Sequence, residues 1–323
     1  MTGVRRYASL FDVCLSGRSP GSFCSKEHSG MSDCHTIRSA SLTATIAAHG
    51  AELQTVTLTS GEDLLWHGGP EWPRRAPVLF PIVGRLTEDM LIHQGKHYPL
   101  PKHGFARNSR FDWVERGESR CVLELRDSAA THASYPFAFR LLMIFEIDGL
   151  TLKVTTRVEN PGQEVLPCGV GAHPAFRWPL VEGVPQESHR LDFEKDESIE
   201  TYLIEDGLLG AKTPSPIKNR RLALSPELFV IDAIILEEVA SRSVRFIAED
   251  AQGKTLRVLD IAWEGYKDLG IWSRQGGAPF LCIEPWFSMC SPVGWQGEFS
   301  EKPGILLLEP QGVRDFSWRV TVG

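Results

Sequence analysis

Several motifs that identify large enzyme classes are missing from this chain of 323 residues. It has no GxGxxG, no P-loop and no HExxH, so dinucleotide binding, nucleotide binding and zincin chemistry have no local support. Segments with helical periodicity are almost absent too. What remains is a set of separated polar residues in apolar or turn-rich surroundings, whose chemistry follows from residue type.

Long runs of one charge or of apolar residues are also missing. The formal net charge is −7, from 34 Lys and Arg against 41 Asp and Glu. No basic run offers a track for phosphates, so nucleic acid is not an expected partner. No apolar stretch approaches the roughly 20 residues that cross a bilayer, so we expect a soluble protein without a membrane partner.

The seven cysteines are irregularly spaced and odd in number. No CxxC pair occurs among them, which argues against a zinc site and against a disulfide framework. This usage favours a reducing compartment, and we expect a cytoplasmic protein. The sequence contains no indication of the oligomeric state.

Residues 1–35 are interpreted as a flexible N-terminal extension. The short apolar segment Ala8-Ser9-Leu10-Phe11 is like part of a secretion signal, but Asp12 interrupts it, and a turn-rich stretch follows in place of a small-residue cleavage site. No composition break or linker occurs later in the chain. Residues 36–323 are therefore predicted to form a single domain.

This domain is predicted to be all-β. Short segments of period-two alternation recur between clusters of Gly, Pro, Asn and Asp. In the clearest one, Leu150–Val158, the apolar residues at 150, 152, 154 and 158 share one face, and Lys153 and Arg157 share the other. Similar segments joined by turns predict a large antiparallel β-sandwich.

Two polar segments in the first half of the chain are candidates for a site. Arg85 ends an apolar run, where it is either a surface residue after a buried strand or a fork of donors for hydroxyls or a carboxylate. In the segment 102–107, Gly104 permits a tight turn that brings His103 and Arg107 toward one place. A histidine in a turn is, however, more often an ordinary hydrogen-bonded loop residue.

Two further segments place an ionisable residue among apolar neighbours. His173 precedes Pro174, which holds the residue before it extended, and such a setting favours one ring orientation and a shifted pKa. Glu284 lies in the run 280–286, whose two faces are both apolar, as in a central strand. A buried carboxylate is costly unless it is paired, so we expect an Arg or His partner, in a structural ion pair or in a catalytic site.

Together these residues suit proton transfer on a polyhydroxylated ligand. They comprise two His, one or two Arg and one Glu, with no nucleophilic Ser or Cys in a matching context, and no metal or cofactor is expected. Nearby aromatic residues could form the walls for a sugar ring, although a large β core uses such residues as well. They are Trp66, Trp72, Phe176, Trp178, Trp272 and Trp286.

In these segments the sequence resembles the aldose 1-epimerase family, in its LacX-type branch, over nearly all of residues 41–321. Each segment alone is a weak signal, and their common order makes the resemblance specific. The segments are Gly50-Ala51-Glu52-Leu53, Leu64-Leu65-Trp66, Pro77-Val78-Leu79-Phe80-Pro81-Ile82-Val83-Gly84-Arg85, His103-Gly104-Phe105-Ala106-Arg107, Gly171-Ala172-His173-Pro174-Ala175-Phe176, Leu228-Phe229 followed by Asp232-Ala233, and Ile283-Glu284-Pro285-Trp286.

The resemblance implies a β-supersandwich fold with an open sugar-binding cleft. It also implies an isomerase that interconverts the α and β anomers of a free aldose without a cofactor. By position in the motifs, Glu284 resembles the family's general base and His173 its general acid. His103 and Arg85 resemble the residues that orient the sugar.

Two further residues bear on the substrate. Asp232 resembles the family's substrate-binding Asp, with Asp268 as a competing candidate. Arg107 lies in a motif shared with hexose-6-phosphate epimerases, where a second Arg helps to hold phosphate. A hexose-6-phosphate 1-epimerase is therefore an alternative, and a non-catalytic sugar-binding module is another. The phosphate-binding candidates are Arg74, Arg75, Arg85 and Arg107.

Deleting residues 1–30 is expected to leave both the melting temperature and the rate of anomer exchange unchanged. The physical reason is that this turn-rich segment has no periodic apolar face with which to pack. Calorimetry and an exchange assay on the full-length and truncated chains measure the two quantities. A fall in either one would contradict the prediction.

Overall fold

Nearly all of the regular structure is β-strand, as the period-two alternation predicts. The computed structural model describes residues 34–197, 200–230 and 232–323. In these ranges the strands are β1 (Cys34–Arg38), β2 (Leu42–Ala47), β3 (Leu53–Leu58), β4 (Val78–Leu79), β5 (Met90–His93), β6 (Lys96–Pro99), β7 (Asp112–Arg116), β8 (Arg120–Arg126), β9 (Arg140–Asp148), β10 (Thr151–Glu159), β11 (Leu166–Cys168), β12 (Val170–Ala172), β13 (Ala175–Arg177), β14 (His189–Phe193), β15 (Glu200–Glu205), β16 (Leu208–Pro214), β17 (Arg221–Ala223), β18 (Ile234–Leu236), β19 (Ser243–Glu249), β20 (Thr255–Glu264), β21 (Asp268–Trp272), β22 (Phe280–Phe287), β23 (Leu306–Leu308) and β24 (Val313–Val322).

Helices in the described part of the chain are at most four residues long. The α-helix α1 is Ala129–His132, and the 3-10 helices are Thr87–Asp89, Ala106–Asn108, Gln186–Ser188, Pro226–Phe229 and Phe299–Glu301. No helix in these ranges has the length and apolar character that a membrane span requires.

Two large antiparallel sheets dominate the architecture. The larger has nine strands in the order β17-β14-β19-β20-β24-β10-β9-β8-β7. The smaller has the order β18-β21-β22-β12-β4, and β13 also pairs with β22. Buried side chains of both sheets, such as Phe316 of β24 and Ile283 of β22, belong to one hydrophobic core. The predicted all-β, antiparallel fold class is thereby confirmed.

The remaining strands form four smaller sheets. They are the three-stranded sheet β1-β2-β3 and the two-stranded pairs β5-β6, β11-β23 and β15-β16. The β15-β16 pair matters for the site, because Ile204 of β15 and Gly207 of its turn line the cavity described below.

The clearest predicted strand corresponds to β10, with one correction. Leu152 and Val154 are buried and Lys153 is exposed, as the alternation predicts. Leu150 was expected on the apolar face, but it is 41% exposed. It belongs to the turn between β9 and β10, where its carbonyl accepts a hydrogen bond from the backbone N–H of Val322 while its side chain stays exposed.

The boundary of the predicted N-terminal extension needs correction as well. β1 begins at Cys34, and His35 is paired with Ile46 of β2. The last two residues of the predicted extension therefore belong to a strand, which local composition did not indicate. Residues 1–33 lie outside the described ranges.

Candidate active site

The central strand of the smaller sheet, β22, sets the geometry of the site. All of its residues except the last are buried, as predicted from its two apolar faces. On one side it pairs with β12, where Gly171 lies opposite Trp286, and then with β13, where Ala175 lies opposite Cys282. The two short strands thus follow one common register along β22.

This register places His173 directly across from Glu284. Nε2 of His173 lies 3.2 Å from Oε2 of Glu284, and both side chains are buried. Oε2 of Glu284 has no hydrogen-bond partner, so its contact with Nε2 of His173 is close without being a well-aligned hydrogen bond. Nδ1 of His173 has no hydrogen-bond partner either. Both groups therefore retain the capacity to bond with a ligand.

The protonation of this pair follows from its burial. Desolvation raises the pKa of Glu284 well above its ordinary value. Desolvation, aided by the charge of Arg107, lowers the pKa of His173 to about 3. Burial thus favours the uncharged form of each group, a neutral histidine beside a protonated carboxyl group.

His103 lies next to this pair in a defined tautomer. Its Nδ1 accepts a hydrogen bond from the backbone N–H of Gly84 at 3.1 Å, and its ring meets His173 edge-on at 5.8 Å. Burial, followed by the charge of His173, lowers the pKa of His103 well below its ordinary value. A neutral ring that accepts at Nδ1 carries its proton on Nε2, which is thus a donor.

Tryptophan rings enclose the side chain of His173. Trp72 stacks on the His173 ring, with centroids 4.9 Å apart, and Trp272 meets it edge-on at 5.8 Å. Trp286 lines the cavity onto which His173 and Glu284 open. Its indole lies over Gly270 of β21, where a Cβ atom would come within 2.4 Å of the ring, so glycine is required there.

Three of the six predicted aromatic residues, then, line the cavity. Phe176 and Trp178 are instead fully buried in the core. Trp66 packs behind Trp72, whose backbone carbonyl accepts a hydrogen bond from the Trp66 indole N–H.

The pair opens into a cavity of about 560 Å³, a size suited to a small-molecule ligand. Five of the six residues predicted for the site line this cavity although they are far apart in sequence. They are His103, Arg107, His173, Asp232 and Glu284. Their roles in binding or catalysis remain predictions.

Arg85 is the exception, because it does not line this cavity. Its guanidinium group donates to both carboxylate oxygens of Asp89, at 2.8 and 2.9 Å, and to Asp206 at 2.9 Å. It lines a neighbouring depression, outside the cavity that holds Glu284. Two carboxylates hold its side chain there: Asp89, four residues along the chain, and Asp206, which is 121 residues away and could not be identified as a partner from the local sequence.

The two candidate aspartates separate clearly. Asp232 lines the cavity. Asp268 is fully buried, and its Oδ1 accepts hydrogen bonds from the backbone N–H of Glu238 and from Lys267. Asp268 does not line the cavity, so Asp232 is the better candidate for contact with a ligand.

Several cavity residues were missed by sequence reasoning. Lys102, Arg274 and Gln275 supply polar groups to the wall, and Cys290 supplies a thiol. Lys102 adjoins His103 in a motif already singled out, so that motif contained a signal for it. Arg274 follows β21 in a turn, and nothing in its local sequence marks it.

One group of side chains in the site has the spacing of metal ligands. His173, Cys282 and Glu284 each offer one ligand atom, and these atoms lie within 4.8 Å of one another. Burial raises the pKa of the Cys282 thiol well above its ordinary value, so a metal would have to displace a strongly held proton.

Comparison with known proteins agrees with this geometry. A sequence model of the family described as Aldose 1-epimerase matches residues 33–288. Protein LacX of Lactococcus lactis subsp. lactis, in its plasmid form, is 30% identical over 292 residues, which cover 87% of this chain and 96% of LacX.

Solved structures show the same fold. A galactose mutarotase related enzyme from Lactobacillus acidophilus has a TM-score of 0.83 at 29% identity, and the match covers 90% of this chain and 97% of that one. A galactose mutarotase-like protein from Lactobacillus casei has a TM-score of 0.80 at 24% identity, covering 90% and 100% of the two chains.

Gly104→Ala is expected to destabilise the fold and to displace His103. Gly104 has a φ of +69°, and a Cβ atom there would lie 2.3 Å from the carbonyl oxygen of Phe80. Gly95→Ala is a matched control, because Gly95 has a φ of +70° with no atom within 4 Å of the added Cβ.

Denaturant unfolding measures the difference between the two variants. The strain of a left-handed alanine, about 1 kcal/mol, is common to both. Gly104→Ala should lose at least about 2 kcal/mol more than Gly95→Ala, because backbone must move to relieve the clash. Equal losses would show that the Phe80 carbonyl does not constrain this turn.

Proposed function

This chain belongs to the aldose 1-epimerase family, and we propose that it interconverts the α and β anomers of a reducing aldose. The observation that carries the proposal is the 3.2 Å contact between His173 and Glu284 at the cavity. The ring oxygen and the anomeric hydroxyl oxygen of a sugar are both bonded to C1. An acid and a base that act on these two atoms together must therefore be close neighbours.

In the proposed reaction, Glu284 takes the proton of the anomeric O1 hydroxyl while His173 gives a proton to the ring oxygen O5. The C1–O5 bond breaks and C1–O1 becomes a carbonyl, so the product is the open-chain aldehyde with a hydroxyl at C5. After rotation about C1–C2, the same steps in reverse close the ring on the other face. No atom or electron is gained or lost.

The effect of burial on the two pKa values is compatible with this cycle. Ring opening starts from ionised Glu284 and protonated His173, and it leaves Glu284 protonated and His173 neutral. Both states hold one proton on the pair, so no exchange with solvent is needed during turnover. Burial favours the second state. Hydrogen bonds from the bound sugar would support the first, since Nδ1 of His173 and Oε2 of Glu284 have no hydrogen-bond partner within the protein.

Other cavity residues are assigned to binding. His103 donates through Nε2 to a sugar hydroxyl, and Asp232 accepts from another. Trp72 and Trp272 offer apolar faces to the ring. A non-catalytic sugar-binding module would need these walls and donors, but a buried carboxyl group beside a buried histidine would cost it stability without improving binding.

Glu284→Gln is expected to lower the rate of anomer exchange by roughly 10²- to 10⁴-fold, because the amide keeps the shape of the side chain but cannot accept the proton. His173→Asn should lower the rate by a similar factor. Exchange NMR on a panel of aldoses measures the rate. Glu309→Gln, which removes an exposed carboxylate, is the control and should leave the rate unchanged.

The double variant tests whether the two residues act as a unit. Because ring opening needs both groups at once, combining Glu284→Gln with His173→Asn should be scarcely slower than either single change. Sugar binding should survive in all three variants. A near-normal rate for Glu284→Gln would rule out Glu284 as the base and direct attention to Asp232.

The exchange rate is expected to show no inflection near the ordinary histidine pKa of about 6.5, because burial lowers the pKa of His173 to about 3. Below the lowered pKa of His173, about 3, the pair gains a second proton and loses its base. Above the raised pKa of Glu284 it loses the shared proton and with it the acid. The measured rate is corrected for uncatalysed mutarotation. A tenfold fall in this rate for each pH unit above 6.5 would contradict the prediction.

A further inference from the structure

Three buried side chains at the site have the identity and spacing of zinc ligands. They are His173, Cys282 and Glu284, whose ligand atoms lie within 4.8 Å of one another. In the ranges that the structure describes, no other three His, Cys, Asp or Glu side chains form such a group. The proposed anomer exchange uses His173 and Glu284 but gives Cys282 no part. The three residues are called the metal-ligand triad below.

The strand register brings the thiol of Cys282 to the acid–base pair. Cys282 precedes Glu284 by two residues in β22, so the two side chains point to the same face of the sheet. Cys282 is fully buried between its strand partners, Ala175 of β13 and Trp272 of β21. Glu284 and His173 line the cavity, whereas Cys282 does not. The thiol thus approaches the pair from the protein interior, and the other side of the pair is open to the cavity.

The distances in the metal-ligand triad suit a tetrahedral ion. Nε2 of His173 and Oε2 of Glu284 are 3.2 Å apart. Nitrogen and oxygen ligands with bonds of about 2.0 Å to a tetrahedral ion lie about 3.3 Å apart, and a thiolate lies about 3.6 Å from either of them. The thiol of Cys282 is within 4.8 Å of both, so it has to approach them by about 1.2 Å at most. A rotation about the Cα–Cβ bond of Cys282 covers that distance.

The polar atoms of this group also lack partners within the protein. Oε2 of Glu284 and Nδ1 of His173 are buried and have no hydrogen-bond partner. Such atoms are costly to bury, and an ion coordinated by both side chains would satisfy the carboxylate. Thiolate, imidazole and carboxylate together are ligands of Zn²⁺, whereas Mg²⁺ and Ca²⁺ prefer oxygen alone. The open side leaves a fourth position for water, as in zinc sites with three protein ligands.

The balance of charge also favours an ion held by the metal-ligand triad. Binding releases the thiol proton of Cys282 and the carboxyl proton of Glu284 to solvent, while the neutral ring of His173 coordinates without losing a proton. The two negative ligands cancel the charge of Zn²⁺, and no electron is transferred. The complex therefore has no net charge for the cavity cations Lys102 and Arg107 to repel. A neutral complex is far less costly to bury than an unpaired charge.

We propose that the metal-ligand triad binds Zn²⁺ and that the bound ion switches the site off. The ion occupies the lone pairs of His173 and Glu284 that the proposed reaction needs for proton transfer, and its water ligand fills the adjoining part of the cavity. The inhibition rests on the proposed epimerase function, whereas the binding of the ion does not. Zinc is thus an inhibitor of this site and takes no part in its reaction.

Zinc binding is measured on the metal-free, intact chain by competition with a chromophoric chelator. Cys282→Ala should weaken binding at least 10- to 100-fold, which is the loss expected even for a residue that only supports a metal ligand. Cys290→Ala is the matched control, because it removes another buried thiol, one that lines the cavity outside the triad. This control should bind zinc as the unchanged chain does. Equal affinities for Cys282→Ala and the unchanged chain would overturn the proposal.

Cobalt gives a spectroscopic signature of direct ligation. Co²⁺ substitutes for Zn²⁺ in tetrahedral sites, and a thiolate ligand then produces a charge-transfer band in the near ultraviolet. The band should appear with the intact chain, persist in Cys290→Ala and be lost in Cys282→Ala. Cys282→Ser, which keeps the size of the side chain, is the second variant, and circular dichroism checks that each variant is folded. An undiminished band in both Cys282 variants would contradict the assignment.

Inhibition of anomer exchange separates this proposal from the proposed function. Zn²⁺ should inhibit exchange, a chelator should restore it, and Mg²⁺ should have no effect. Inhibition of Cys282→Ala should require at least tenfold more Zn²⁺.

The two proposals fail in different ways. If zinc binds through Cys282 but the metal-free chain exchanges no aldose, the epimerase proposal fails and the metal site stands. If aldoses are exchanged and zinc neither binds through Cys282 nor inhibits, the epimerase proposal stands and the metal site is wrong. Binding through Cys282 that leaves an active chain uninhibited would overturn the placement of the ion on His173 and Glu284.

Discussion

The register of β12 and β13 along β22 is the constraint on which the site depends. It sets His173 opposite Glu284, while Gly270 of β21 is the partner of Glu284 on the other side of β22. Successive side chains in a strand point to opposite faces, so a slip of one residue would turn Glu284 away and place Ile283 or Pro285 at its position instead. Because β22 is central and buried, such a slip would also expose polar groups to the core, and the fold thereby fixes the register firmly.

Burial of His173 and Glu284 lowers the stability of the fold, but the proposed proton transfer depends on it. In water a histidine and a carboxylate would titrate separately and exchange protons with solvent. In the cavity, desolvation raises the pKa of Glu284 and lowers that of His173, so it favours the uncharged form of each group. The stacked Trp72 and the edge-on Trp272 pack against the His173 ring and contribute to this burial. The proposed proton transfer therefore depends on the same apolar packing.

Alternation in the sequence was sufficient to predict β10 and the buried character of β22, and the settings of His173, His103 and Glu284, together with the family resemblance, made them candidates. The partners of charged residues were not predictable in the same way. Arg85 ends an apolar run, a position also expected of a cavity residue, but its partner Asp206 is 121 residues away, and only the tertiary structure brings the two together. Arg274 was missed for the same reason, since its environment comes from Pro70 and Glu71 on a distant loop. Strand register likewise depends on which segments meet, and local sequence does not specify that.

The charges around the cavity connect binding with proton transfer. The positive charges of Arg107, Lys102 and Arg74 all add to burial in lowering the pKa of His173. In the proposed reaction the His173 ring has to carry a proton, so hydrogen bonds from the bound sugar to His173 and Glu284 would have to offset this repulsion.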